Sequence, residues 1–286
     1  MSFRTIVIKN RSKLDLNLNY LVSRGETEVK VFIPEISILI LESTAISLTT
    51  ALISALIYNN TKIIFCDGKH NPQCEVLPFY GVYNSSKTIC KQIKWSDENK
   101  QKIWTEIVRL KIAKQIEFLK QLGCLEQADT IKDYLLNVEF NDETNREGHS
   151  AKVYFNAVFG KKFNRRSETF VNTALNYGYS IILSCINREI VSKGYLTQIG
   201  IWHKNEYNEF NLACDLIEPF RTLVDRIVYD FEDETFDYKT KLLDIFNLKL
   251  TIDGKSQFFE NAVAVYVQSV LEAIETGDES LIKVYE

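Results

Sequence analysis

Leu14, Leu16, Leu18 and Tyr20 alternate with Asp15, Asn17 and Asn19, and Val29, Val31 and Ile33 resume the period of two beyond Gly25. Because successive side chains on a strand face opposite sides, this alternation predicts half-buried strands folded back as a meander. Ser43 and Thr44 are candidate caps for a helix over residues 45–58, closed by Asn59-Asn60. Ile63-Ile-Phe-Cys66 then has the length of a short buried strand ending at Asp67-Gly68. Three of the four prolines (Pro34, Pro72, Pro78) fall in this stretch, and the pattern changes after the last of them. Residues 1–78 read as a small β-rich domain, and 79–96 as a linker.

Beyond the linker the period becomes that of helices. Ser96 can cap a helix over 97–122 that sets Trp104, Val108, Ile112, Ile116 and Leu119 on one stripe and stops at Gly123. A shorter helix runs through Leu136. The next starts near Arg146 and puts Glu147, in its first turn, on the side of Ala151, Tyr154, Phe155 and Val158, whereas His149 points elsewhere. Within a helix over 169–190, Ala174 and Gly178 are four apart and small enough to let a neighbouring backbone come close. A helix from about Asn208 aligns Asn211, Asp215, Glu218, Thr222 and Asp225 on one side, and Leu212, Leu216, Phe220 and Leu223 on another. Pro219 cannot donate to the carbonyl of Asp215, so this helix should loosen where the acids sit. Asp253-Gly254 marks a turn before a last helix over 258–274. The expected fold class is α+β: a small N-terminal β-rich domain followed by a larger, all-α C-terminal domain over 97–286.

Composition narrows the function. The 286 residues suit two domains, and 45% apolar with 25% charged residues is an ordinary globular balance. Net charge is −4, so the whole-molecule field would not draw the protein onto a polyanion, and any nucleic-acid binding must come from local basic patches. The six cysteines form no C-x-x-C pair, which argues for reduced thiols in a cytoplasmic protein and against a cysteine zinc site. Lys9 interrupts the N-terminal apolar stretch and no run of about 18 apolar residues follows, so neither export nor a membrane span is expected. None of the three histidines is followed by aspartate, and H-E-x-x-H, Walker and G-x-S-x-G patterns are missing.

A metal site assembled from separate elements is left. Asp215 and Glu218, at i and i+3, are like charges on one helix face, unfavourable by a few tenths of a kcal/mol unless something neutralises them. A divalent cation would do so; a solvated face with Arg221 or Arg226 as counter-ion is the plainer alternative. Three features favour the metal: the inward-facing Glu147, His203 beside the apolar Gly200-Ile-Trp202 run, and Pro219 opening the helix at the acids. A Glu, His, Glu set suits Mg²⁺ or Mn²⁺. Cations surround these acids: Arg146, Lys152, Lys161, Lys162, Arg165, Arg166, Lys204 and Arg221, interleaved with Tyr154, Phe155, Phe163 and Phe170. Lys161 to Phe170 could track a phosphate backbone; a charged loop between two helices is the alternative. Metal-binding acids ringed by phosphate-holding cations are what displacement at a phosphodiester requires.

Glu147-Gly-His-Ser-Ala-Lys-Val-Tyr-Phe155, Asn176-Tyr-Gly-Tyr179, Gly200-Ile-Trp-His203 and Asn208 through Arg221 resemble, in order, the core motifs of the CRISPR adaptation integrase, the first CRISPR-associated protein. The short chain looks like the type II-A branch. The resemblance implies that Glu147, His203 and Glu218 are catalytic and ligate Mg²⁺ or Mn²⁺, with Asp215 an accessory acid. It implies a homodimer, and exposed strands of the N-terminal domain are the expected dimer surface. It further implies a hetero-hexameric complex with a dimer of the second CRISPR-associated protein, and other type II-A adaptation proteins as further partners. The activity it implies is insertion of protospacer DNA into the repeat array by attack of a 3′-hydroxyl on a phosphodiester. A non-catalytic DNA-binding scaffold and a general metal nuclease without repeat preference are the alternatives. Many members of the family carry Asp at the position of Glu218.

Overall fold

The computed structural model describes residues 4–76, 78, 85–231 and 237–286. The chain forms two compact units, Met1–Tyr80 and Gly81–Glu286.

In the first unit, β1 (Arg4–Ile8), β2 (Ser12–Asn17), β3 (Tyr20–Arg24), β4 (Glu28–Phe32), β5 (Ile36–Leu41), β6 (Ile46–Leu48), α1 (Thr50–Tyr58), β7 (Lys62–Cys66) and β8 (Pro72–Glu75) build two sheets. One runs β4-β3-β2-β6 and the other β1-β5-β7-β8. The predicted meander is β2-β3-β4, antiparallel throughout. Its first turn falls at Leu18-Asn19, both with positive φ (49° and 64°), whereas the alternation continued through them on paper. α1 is shorter than expected. Thr49 caps it, accepting from Leu52 N, and residues 46–48, expected as helix, pair with β2 as β6. β5, apolar except for Ser37, is buried along its whole length, as a strand flanked by parallel neighbours on both sides requires. Leu14, Leu21, Ile33, Leu39, Leu52, Leu56 and Ile63 form the core of this unit.

Of the expected linker, residues 79–84 lie outside the described residues, and Ser85–Gln92 is a helix, α2. The second unit continues with α3 (Asp97–Gln121), α4 (Leu125–Leu136), α5 (Arg146–Phe159), α6 (Phe170–Ser192), α7 (Asn211–Leu216), α8 (Arg221–Tyr229), α9 (Tyr238–Leu243), a hairpin of β9 (Lys249–Ile252) and β10 (Lys255–Phe258), and α10 (Phe259–Thr276). The hairpin corrects the all-α expectation. Leu250 and Ile252 are buried while Lys249 is exposed, a period of two too short to stand out beside the long helices, and Asp253-Gly254 turns it with both φ positive.

α3 is capped by Ser96 and buries the expected stripe, and Lys111, Lys114 and Gln115 with it. A helix buried almost all round is the centre of its unit rather than a surface helix. Close approach is built in at Gly178 on α6, where a Cβ would meet Val224 Cγ1 of α8 at 2.5 Å. The helix expected from Asn208 begins at Asn211, and Pro219 breaks it as predicted: α7 ends at Leu216, Glu218–Phe220 is a 3₁₀ turn, and α8 resumes at Arg221. Asn211, Asp215, Glu218, Thr222 and Asp225 are all buried, so this stripe is not a solvated face, although Arg221 is the counter-ion of Glu218 as the plainer alternative has it. Among the described residues no helix is long and apolar enough to cross a membrane.

Candidate metal centre

Two buried charges of opposite sign organise the residues singled out in the sequence. The first is Asp215. Its side chain is fully buried, and its oxygens accept from the backbone N of Ile201 (2.6 Å), Trp202 (3.1 Å) and His203 (3.1 Å). His203 Nδ1 lies 2.6 Å from the same carboxylate. Asn211 fastens the same loop by donating to Gln198 O (3.1 Å) and Asn205 O (2.9 Å). Gly200 makes the loop possible, since a Cβ there would meet His203 O at 2.4 Å and Asp215 Oδ2 at 2.8 Å. The hydrogen bond to Asp215 raises the His203 pKa. It also fixes the ring, leaving Nε2 as the nitrogen free to ligate; a carboxylate behind an imidazole is the usual outer support of a metal-bound histidine.

The second organiser is Lys111, on α3 and unremarked in the sequence. Its ammonium forms ion pairs with Glu147 Oε1 and, at 2.5 Å, with Glu218 Oε2. Glu147 reaches it from the first turn of α5, where Asp142 accepts from the backbone N of Arg146 (2.7 Å) and Glu147 (3.1 Å) and Asn145 accepts from Gly148 N (3.3 Å). Glu218 reaches it from the 3₁₀ turn that Pro219 imposes. The other oxygen of Glu218 accepts from Arg221 Nε at 3.0 Å. Burial pushes the Glu218 carboxyl up, but Arg221 and then Lys111 outweigh it and hold the group at about 2. Lys111 is likewise pulled down by burial and raised on balance by Glu218 and Glu147, so it stays charged.

α3 links the two halves. Trp104 and Lys111 are seven residues apart, two turns and so on the same side. Lys111 meets the carboxylates, while the Trp104 ring stacks on Trp202 at 5.5 Å and lies edge-on to His203 at 6.1 Å. Glu147 and Glu218 thus share one cation, and His203 stands with Asp215. No three His, Cys, Asp or Glu side chains converge closely enough to hold an ion as they are placed, among the described residues. The donor set nevertheless fits a hard divalent ion. Two carboxylates from separate elements already converge on a cation, and the imidazole is oriented.

The basic residues divide. Lys152, Lys161, Lys162, Arg166 and Lys204 are exposed. Lys204 borders a cleft of about 330 Å³ with Trp202, Lys100 and Gln101. Arg146 lies over the Tyr134 ring. Arg165 is spent inside the unit, donating to Asn172 Oδ1 (2.5 Å) and Asn176 Oδ1 (2.7 Å), and so is Arg221, which pairs with Glu218 and sits 4.7 Å from the Tyr179 ring centre. Tyr154 and Tyr179, from two of the sequence motifs, both donate to buried Asp225, Tyr154 at 2.8 Å. His149 and His70 are exposed, and the His149 ring lies against Tyr134.

A β-rich unit followed by a helical unit with a paired-carboxylate and histidine centre defines a class, and solved structures share its fold. A Cas1 protein from Thermotoga maritima superposes with a TM-score of 0.79 at 16% identity, covering 99% of each chain. A casposase bound to integration product gives 0.74 at 20% identity, covering 96% of this chain and 91% of that one. A Cas6-RT-Cas1–Cas2 complex gives 0.74 at 16% identity, covering 98% of this chain and 36% of the longer one. Residues 6–260 match the family described as CRISPR associated protein Cas1, and the chain belongs to that family. It is 34% identical over 230 residues to a CRISPR-associated endonuclease Cas1 of Neisseria meningitidis serogroup C, covering 80% of this chain and 75% of that one.

Proposed function

We propose that this protein is a metal-dependent DNA integrase and endonuclease of CRISPR adaptation, with Glu147, His203 and Glu218 holding Mg²⁺ or Mn²⁺. The observation that carries the reading is the clasp itself: two carboxylates from separate elements converge on one cation while a buried aspartate orients the histidine. A bound divalent ion would promote deprotonation of an attacking DNA 3′-hydroxyl and stabilise the leaving oxygen. The chain's own residues do the rest. Asp215 holds the imidazole in register, Arg221 fixes one oxygen of Glu218, and Lys152, Lys161, Lys162, Arg166 and Lys204 offer exposed charge to duplex phosphates. Arg146 is a further DNA contact, whereas Arg165 and Arg221 shape the site from inside.

The assembly follows the same family. A homodimer paired with the second CRISPR-associated protein on protospacer and repeat DNA is supported by the fold shared with a chain of the solved Cas6-RT-Cas1–Cas2 complex. In the first unit β4 and β6 are sheet edges on which two copies could pair. The type II-A branch, with its other adaptation proteins, is the finer assignment within this reading.

Strand transfer of a short duplex into a repeat-bearing plasmid with Mn²⁺ tests the reading. The parent should give joined product and His203→Ala should give none. Equal product from both overturns the assignment, and cleavage without joining by the parent identifies a general nuclease instead.

A further inference from the structure

Counting formal charges at the carboxylate clasp gives zero: Glu147 and Glu218 are matched by Lys111 and Arg221. The clasp is therefore electrically complete before any ion arrives. Arg221 is fixed there, bonded to Glu218 Oε1 and stacked on Tyr179. Lys111 differs. It places a point charge on a flexible four-carbon stem at the spot where both carboxylates converge. Two unit charges about 4 Å apart repel by several times thermal energy even at an effective dielectric near 20, so a divalent ion and the ammonium exclude one another from that spot.

We propose that Lys111 is a built-in competitor for the metal: its ammonium occupies the carboxylate clasp, a divalent ion must displace it, and a DNA phosphate receives it once displaced. The inference rests on the metal reading above and adds a property to it. Metal affinity is set low in the protein alone and rises when a phosphodiester is bound. Because coupling between two ligands is reciprocal, the ion must strengthen DNA binding by the same factor. Lys114 cannot replace Lys111, being paired with Glu117 at 2.9 Å and lying over the Tyr285 ring.

Calorimetric titration of Mn²⁺ into the full chain is the test. Lys111→Met should bind the ion about 10-fold more tightly than the parent, and Glu218→Ala should lose saturable binding. If Glu218→Ala binds Mn²⁺ as the parent does, the metal reading fails. If Glu218→Ala loses the ion but Lys111→Met binds it no more tightly than the parent, only the competition is overturned. Should Lys111→Met be unfolded without Mn²⁺, recovery of its melting transition on adding the ion supports the inference, since the ion has then taken the lysine's place. No recovery overturns it. Anisotropy of a labelled short duplex supplies the second arm: Mn²⁺ should strengthen duplex binding by the parent about 3-fold or more beyond its effect on Lys111→Met. Equal strengthening in both overturns the coupling.

Discussion

The His203 loop and the Glu147–Glu218 clasp sit at opposite ends of two turns of α3 and are built as inverses. The loop gathers backbone N–H groups and an imidazole around a buried anion, Asp215; the clasp gathers carboxylates around a buried cation, Lys111. The difference lies in what each organiser can exchange. Asp215 is held by backbone that has nowhere to go, so the loop is a fixed part. The clasp is closed by one flexible side chain, so it is the part that can be remade around a different cation.

Asp215→Asn breaks the comparison at its strongest point. An amide cannot accept on both sides from three backbone N–H groups and an imidazole, so urea denaturation should show a loss of about 4 kcal/mol. A loss below about 1 kcal/mol would mean that the loop is not organised by this anion.

A third buried carboxylate sharpens the contrast with Glu218. Asp225 has two phenol donors and no bonded cation; burial pushes it up to about 6, the tyrosines and then the arginines only partly opposing this. A group whose folded pKa lies above its unfolded value contributes stability that is present below the unfolded pKa and lost as pH rises through the folded one. The parent should lose about 3 kcal/mol from this group between pH 4 and pH 7. Unfolding curves of Asp225→Asn should lack that component, and an unchanged slope would refute the burial-dominated picture.

Gly200→Ala has the smallest expected effect and is confined to the loop. The added methyl group meets His203 O and Asp215 Oδ2. A stability loss of about 2 kcal/mol is expected. Mn²⁺ should also bind more weakly by calorimetry, because the imidazole moves while the clasp stays intact. Unchanged metal affinity would separate His203 from the ion.

Much of this was legible in the sequence, and the gaps have physical causes. Period-two alternation gave the meander, Pro219 gave the helix break, and the first-turn position of Glu147 gave its inward direction. Leu18-Asn19 hid its turn because leucine seldom takes positive φ. Asp215 and Glu218 read as a pair on one face; in the fold the break at Pro219 parts them, and Asp215 turns to amides of the preceding loop, which no spacing encodes. Lys111 was missed because a lysine on a long helix is ordinarily solvated. Its neighbours carried a signal, since Lys111 lies among Val108, Ile112 and Gln115, all buried.

The stack of Trp202 on Trp104 gives the loop an optical signature. Two indoles 5.5 Å apart and within 3° of parallel are close enough for their transition dipoles to couple. One ring is in the core and the other, 44% exposed, rides on the backbone that positions His203. Departure of the loop from α3 would therefore uncouple the chromophores and alter near-ultraviolet ellipticity, so its docking could be followed without a label, substrate or metal.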